Sequence, residues 1–329
     1  MPPQPDPDPG PDSSSLPLDQ SHILLTAFNS FLTVAIHNIL YYRNIYPPAT
    51  FLSTKAYNLP VHQNRHPKVC AWIRDAVDAV AVQLTSGHVA RIAIVIHSPL
   101  DSPLPSQPVK QPLRSGRDDT TTSPTPSQSS ATIPPGSVLE RWLIDTSRFP
   151  AWPTPSPSSS TKATAKSFRD FARVLAKESR LEDSREALVC DPASSSQNNM
   201  NDKDDDDGDD GDNTLRWPDL DEQLRGALRR MATTAEAMAP LPEGCTFTVA
   251  VELAEEGRAP IGHPQAWIPS EPNLQPASKG REMAGEDLGG VKTRPIRSVE
   301  AGPLFFECWV EEGKAKEVLT RMMEADKGE

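Results

Sequence analysis

Residues 31–47 read FLTVAIHNILYYRNIYP, the second half of an apolar-periodic stretch running from Leu18 to Tyr46. Leu24, Phe28, Phe31, Ala35, Ile39 and Tyr42 recur at helical spacing on one face, and Leu25, Leu32, Ile36 and Leu40 fill the face beside it. A stripe that wide predicts a central helix buried by its neighbours rather than a surface helix. Pro47 and Pro48 are the expected stop, because proline removes a backbone donor and clashes with the preceding turn.

Outward from that helix, Phe51 to Val61 reads as a short extended segment, and His66 to Leu84 as a second helix with Val69, Ile73, Val77 and Val80 in register and Gly87 as its end signal. Val89 to Ile96 (VARIAIVI) is β-branched and almost continuously apolar, as a strand buried on both faces must be, so it belongs mid-sheet. Ser137 to Asp145 (SVLERWLID) is a further strand, and Trp217 to Met238 is a third core helix opening at Pro218 and Asp219 and carrying Leu220, Leu224, Leu228 and Met231. Cys245 to Leu253 alternates, with Phe247, Val249, Val251 and Leu253 on one face of a half-buried strand. A polar stretch around Trp267 precedes a last strand-like piece, Leu304 to Val310. Helices and strands in this irregular order predict one α+β domain over 18–312, with a leader at 1–17 and a tail at 313–329. Low-complexity insertions at about 99–136, 153–160 and 184–214 interrupt it; they are rich in Pro, Ser, Thr and Asp and lack the apolar residues needed to offset chain entropy. Lys162 to Leu181 reads as an amphipathic helix with Phe168, Phe171 and Leu175 on one side.

Composition narrows the function. The 329 residues include 35 prolines, are 36% hydrophobic and carry a formal net charge of −12, which argues against a nucleic-acid backbone as partner. Cys70, Cys190, Cys245 and Cys308 form no Cys-x-x-Cys pair, as expected of reduced thiols in an intracellular protein. The start, MPPQPDPDPGPDSSSLPLD, has neither a basic nor an apolar signal region, and no stretch reads as apolar enough over a sufficient length to span a bilayer. G-x-G-x-x-G, Walker-type, G-x-S-x-G and H-E-x-x-H signatures are all missing. His62 and His66 lack a third ligand for a metal, Asp204 to Asp210 lacks the spacing of a calcium loop, and His37 has no identifiable catalytic partner; no enzyme, metal or cofactor is expected.

Read together, FLTVAIHNILYYRNIYP, FLSTKAYNLPV (51–61), VARIAIVI and LERWLID (139–145) resemble a HORMA domain. HPKVCAWIRD (66–75), PEGCTFTV (242–249), AWIPSEP (266–272) and WVEE (309–312) look like the branch formed by the small accessory subunit of translesion DNA polymerase zeta, rather than the spindle-assembly or meiotic checkpoint branch. The resemblance covers roughly Leu18–Ser98, Ser137–Asp145 and Trp217–Glu312. It implies three helices backing a mainly antiparallel sheet, with a C-terminal seat belt that wraps over a partner peptide.

On that resemblance Trp72 and Trp267 match positions that contact the trapped peptide, although either also suits ordinary packing. Arg225, in DEQLRGAL, matches an arginine of HORMA–HORMA homo- or heterodimers, and an exposed helix arginine is common without that role. Glu307 and Trp309 match belt positions facing the scaffold polymerase of translesion synthesis, where glutamine and tyrosine are more usual, and Thr293 falls where an apolar contact residue is usual. The implied partners are the polymerase zeta catalytic subunit, through a proline-containing peptide, the scaffold polymerase, and a AAA+ remodelling ATPase. The implied setting is the nucleus, with the cytoplasm as a second compartment.

Overall fold

A computed structural model describes residues 16–100, 133–150, 152, 217–254, 267–270, 272–277 and 280–326. The expected helix at 162–181, the acidic run, the insertions at 153–160 and 184–214, and most of the insertion at 99–136 lie outside the described residues.

Helix α1 (Leu18–Tyr42) is the spine of the domain, with Leu24, Phe28, Phe31, Leu32, Ile36 and Leu40 fully buried. It stops four residues short of the expected end, and Asn44 rather than the two prolines is the reason. Asn44 adopts φ 53°, its N–H reaches Tyr41 O at 3.0 Å, and the N–H of Ile45 reaches Leu40 O at 3.0 Å, which together satisfy the last carbonyls of the helix. Contrary to the expectation from sequence, Gln20–Tyr42 is long and apolar enough to cross a membrane by length and composition, with a mean hydropathy of 1.6. Most of that surface faces the protein interior, and the helix carries His37 and Asn38 as buried polar residues.

The segment read as singly extended is a hairpin. β1 (Phe51–Ala56) and β2 (Leu59–Asn64) pair through a two-residue turn, Tyr57-Asn58, in which both residues have positive φ (50° and 57°), the geometry that matches strand twist. The hairpin lies against α1, where the His62 ring stacks on Tyr41 at 3.4 Å and the N–H of Asn64 donates to Nδ1 of His37. Helix α2 (Pro67–Thr85) begins with proline at its first position and ends at Gly87, φ 71°, as expected.

A five-stranded sheet contains β3 (Val89–His97), β4 (Val138–Asp145), β5 (Thr246–Leu253), β6 (Lys292–Ala301) and β7 (Leu304–Glu312) in the order β5-β3-β4-β7-β6, antiparallel throughout. β3 is internal, as its continuous apolar run requires. Its alternate residues supply both faces: Ile92, Ile94 and Ile96 join the main core, while Ala93 and Val95 join a small cluster with Val138 and Leu143 on the opposite face. Helix α3 (Trp217–Ala237) packs with α1 and α2 over the first face. Phe28, Phe31, Phe149 and Phe306 meet there with ring centroids 4.9 to 6.2 Å apart, in edge and tilted arrangements.

Two further elements differ from the sequence reading. β6 falls in a stretch read as polar, and residues assigned to a tail form helix α4 (Lys314–Asp326), which returns to β4 and places Lys316 in the interior.

Candidate functional site

The sheet has two edges. At one, β5 pairs among the described residues only with β3, so every second backbone N–H and C=O along its eight residues faces away from that sheet. Phe247, Val249 and Val251 of β5 pack toward the main core, as the alternation predicts, and β5 remains half-buried because nothing among the described residues pairs with its outer edge. At its start Phe247 meets Trp72 of α2 at 4.9 Å in a T-shaped contact, and Tyr46 at 6.4 Å. The structure thus brings Trp72 to the β5 edge and adds Tyr46 and Phe247, which the sequence reading did not single out as site residues. The signal for Tyr46 was available, since it lies just beyond the last helical turn beside Pro47.

Residues 254–291 join β5 at one edge of the sheet to β6 at the other. Four inter-strand spacings separate those edges, about 19 Å. Trp267 packs against the main core and Leu274 against the small cluster on the opposite face, so the connection crosses from one face of the sheet to the other. Two of its described stretches brace each other: Gly285 N–H donates to Gln275 O at 2.8 Å, Asp287 N–H to Asn273 O at 3.0 Å, and the Asn273 amide to the Asp287 carboxylate. A Cβ at Gly285 would stand 2.1 Å from Asn273 O, which only glycine avoids. The indole N–H of Trp267 is buried without a hydrogen-bond partner among the described residues, a group that costs about 1–3 kcal/mol when left unmatched.

The β6–β7 hairpin carries the second set. Thr293, Glu307 and Trp309 share its outer face: Thr293 stands opposite Glu311, two residues from Trp309, and Glu307 lies one alternation further along β7. Trp309 is not a free aromatic. It packs on the small outer cluster, its N–H donates to Glu311 Oε1 at 3.0 Å, and the Arg91 guanidinium lies 5.9 Å from its ring centroid. An ion ladder frames it, with Arg91 held by Asp145 and Glu252, and Arg141 held by Glu252 and Glu311. Burial pushes the Asp145 carboxyl up, but hydrogen bonds from Ser147 and Arg91 outweigh it and hold that group below the usual carboxylate range. Arg225 lies apart from both sets, half-exposed on α3 and paired with Glu222 one turn away.

Histidine chemistry is used structurally. Desolvation lowers His37 to about 4, so at neutral pH it is an uncharged acceptor for Asn64. His62 is stacked and also lowered by burial, while His66 is exposed at the start of α2. Burial raises the thiols of Cys245, to about 11, and Cys308, which makes both poor nucleophiles. A polar cleft between α1, α2 and the β1–β2 hairpin is lined by Asn29, Thr33, His37, Lys55, Gln63 and Arg74, among others, and none of the site residues expected from sequence lines it.

No protein-family profile matches the chain. It is 41% identical over 69 residues to the DNA polymerase zeta processivity subunit of Schizosaccharomyces pombe, covering 21% of this chain and 32% of that protein. It is 33% identical over 88 residues to the mitotic spindle assembly checkpoint protein MAD2B of Rattus norvegicus, covering 26% and 42%. The chain therefore spans about a third to two-fifths of the length of these curated relatives. A chain in the crystal structure of the mitotic checkpoint complex superposes with a TM-score of 0.46 at 14% identity, over 89% of this chain and 98% of that one. The matched segments make this chain similar to the polymerase zeta processivity subunit and to MAD2B over part of their length, and with the motif set and the helix-backed antiparallel sheet they support a HORMA-domain family protein.

Proposed function

We propose that the chain is a non-catalytic adaptor that captures an extended peptide as an added strand on the outer edge of β5, with residues 254–291 passing over it as a belt. The observation that carries this reading is the β5 edge itself, unpaired among the described residues, flanked by Trp72, Phe247 and Tyr46, and continuous with a connection that carries Trp267. Strand addition supplies backbone hydrogen bonds of about 1 kcal/mol net each. The four outward-facing residues offer up to eight such bonds, about 8 kcal/mol in all, which is the size micromolar affinity requires before the cost of lost freedom on association, so aromatic anchors must supply the rest. A proline-bearing peptide suits such anchors, because its extended conformation is already restricted before binding.

Within the family, the reading best supported by the residues is accessory subunit of DNA polymerase zeta in translesion synthesis, acting in the nucleus. The clasp would hold the catalytic subunit, and the face carrying Thr293, Glu307 and Trp309 would receive the scaffold polymerase. Support comes from HPKVCAWIRD, PEGCTFTV, AWIPSEP and WVEE, and from the similarity to the S. pombe polymerase subunit. A checkpoint role is the alternative, favoured by the similarity to MAD2B under its checkpoint name. Affinity capture after DNA damage decides between them: polymerase zeta subunits are the expected partners, and recovery of checkpoint proteins without them would overturn the polymerase assignment.

A further inference from the structure

Glu140 on β4 and Glu312 on β7 stand directly opposite each other where the β6–β7 hairpin joins the rest of the sheet. Like charges so placed repel, and both carboxylates are largely shielded from water, at 0% and 11% side-chain exposure. Three cations meet them. Arg43, at the end of α1, grips Glu140 with Nε at 3.0 Å and Nη2 at 2.7 Å, and also donates to the Ala235 and Ala239 carbonyls at the end of α3. Arg294 on β6 donates to Glu312 at 2.6 Å. Lys316 on α4 lies between the two glutamates, with its ammonium on Glu140 Oε1 and 3.0 Å from Glu312 Oε2. Trp142 completes the shell by donating to Glu140 Oε2 at 3.0 Å.

Lys316 occupies an unfavourable place for a lysine. It is 1% exposed and lies in the first turn of its helix, where the macrodipole opposes positive charge. It is also the surplus cation of the cluster. Without it Arg43–Glu140 and Arg294–Glu312 remain matched one to one, so the body of the domain keeps a neutral interior; what is lost is the charge separating two facing glutamates at the β4–β7 junction. A second tie holds the same helix: Gly313 N–H donates to Leu139 O at 2.8 Å, at an approach so close that a Cβ would stand 2.4 Å from Val138 O.

We propose that α4 is a latch and Lys316 its positioning residue: while Lys316 bridges Glu140 and Glu312 the β6–β7 hairpin stays on β4, and when α4 withdraws the hairpin detaches. Because the far end of the 254–291 connection is anchored through that hairpin, the latch sets how long a peptide on β5 is held. This last step rests on the clasp reading above, whereas the control of the hairpin does not.

The test compares full-length wild type with Lys316→Ala, Lys316→Glu and Lys316→Arg by amide hydrogen exchange, read separately over β7 and β3, together with the dissociation rate of a proline-containing peptide from the polymerase zeta catalytic subunit. Exchange over β7 is expected to rise at least tenfold in the Ala and Glu variants while β3 stays protected, with Arg near wild type and peptide dissociation accelerating in parallel. Wild-type β7 exchange in Lys316→Ala overturns the latch, as does a rise over β3 of the same size, which would make Lys316 an ordinary core residue. Faster β7 exchange with unchanged dissociation overturns the control of peptide release. If wild type binds no such peptide the clasp reading fails, and the exchange pattern still decides whether α4 locks the hairpin.

Discussion

The two edges of the sheet are built for opposite ends. β6 (KTRPIRSVEA) carries Lys292, Arg294 and Arg297, a proline at 295 and a register shift between Pro295 and Arg297, all of which blunt an edge against further pairing. Helix α3 also presses on it: a Cβ at Gly226 would stand 2.9 Å from the Arg297 guanidinium, which donates to Gln223 at 2.8 Å. β5 (TFTVAVEL) has no proline and no cation, and its single charge, Glu252, is held by Arg91 and Arg141. Among the described residues one edge is defended and the other left open. An open edge invites aggregation unless something covers it, and covering it is the task assigned to the proposed belt and its peptide. The contrast teaches that edge protection, more than apolar area, separates the edge proposed to receive a partner from the edge that is closed to one.

Breaking the open edge should have the largest effect. Proline placed singly at Thr248 and at Val249 removes one N–H on each side of the strand, since neighbouring residues point their donors in opposite directions. One variant should fold normally and lose peptide binding by about a hundredfold, and the other should lose stability by about 3 kcal/mol through the β3 pairing. Isothermal titration and urea unfolding on the pair separate the two; equal binding by both would show that peptide does not add to β5.

A perturbation behind both edges should not distinguish them, and His37 provides one. Its folded pKa is depressed to about 4 from 6.5, so the unfolded chain takes up a proton before the folded one. The stabilisation is therefore complete above about pH 6.5 and falls as pH drops toward 4, by roughly 2–3 kcal/mol at pH 4.5. Urea melts at pH 7.5 and 4.5 should show that loss in wild type and a smaller one in His37→Asn, whose amide oxygen still accepts from Asn64.

Trp267→Ala sharpens the comparison from the belt side. Truncating a central aromatic anchor should weaken peptide binding by about 2 kcal/mol, some thirtyfold, in a normally stable domain. A fall in stability of about 3–5 kcal/mol with near-normal affinity would instead make Trp267 a core anchor. Trp309→Ala should weaken the scaffold polymerase about tenfold, near 1.4 kcal/mol, and leave peptide capture nearly intact; equal loss of both partners would mean that Trp309 supports the belt. The smallest effect is expected of Arg225→Ala, about 0.5 kcal/mol or less on folding given its exposed pairing with Glu222, with any change confined to self-association measured by sedimentation.

Local chemistry accounts for much of what the sequence alone determined. Helix α1, helix α2 with its proline start and Gly87 end, the internal β3 and the alternating β5 each state their burial pattern within their own residues. Motifs also drew attention to Trp72, Thr293, Glu307 and Trp309, which the fold then sets at the β5 edge and on one hairpin face. Tertiary structure decided the rest, for reasons that can be named. β6 hid because its bulge breaks the alternation, with Ile296 and Val299 three residues apart before Ala301 restores the step of two, so no period of two was there to read. α4 hid because charged residues interrupt the apolar ones in KAKEVLTRMMEAD, and the most buried of its described side chains is a lysine. A lysine reads as exposed until its counter-charge is known, and that counter-charge, Glu140, lies 176 residues earlier in the chain. Periodicity records which face of an element is dry, but it cannot record which distant charge makes a wet-looking residue dry.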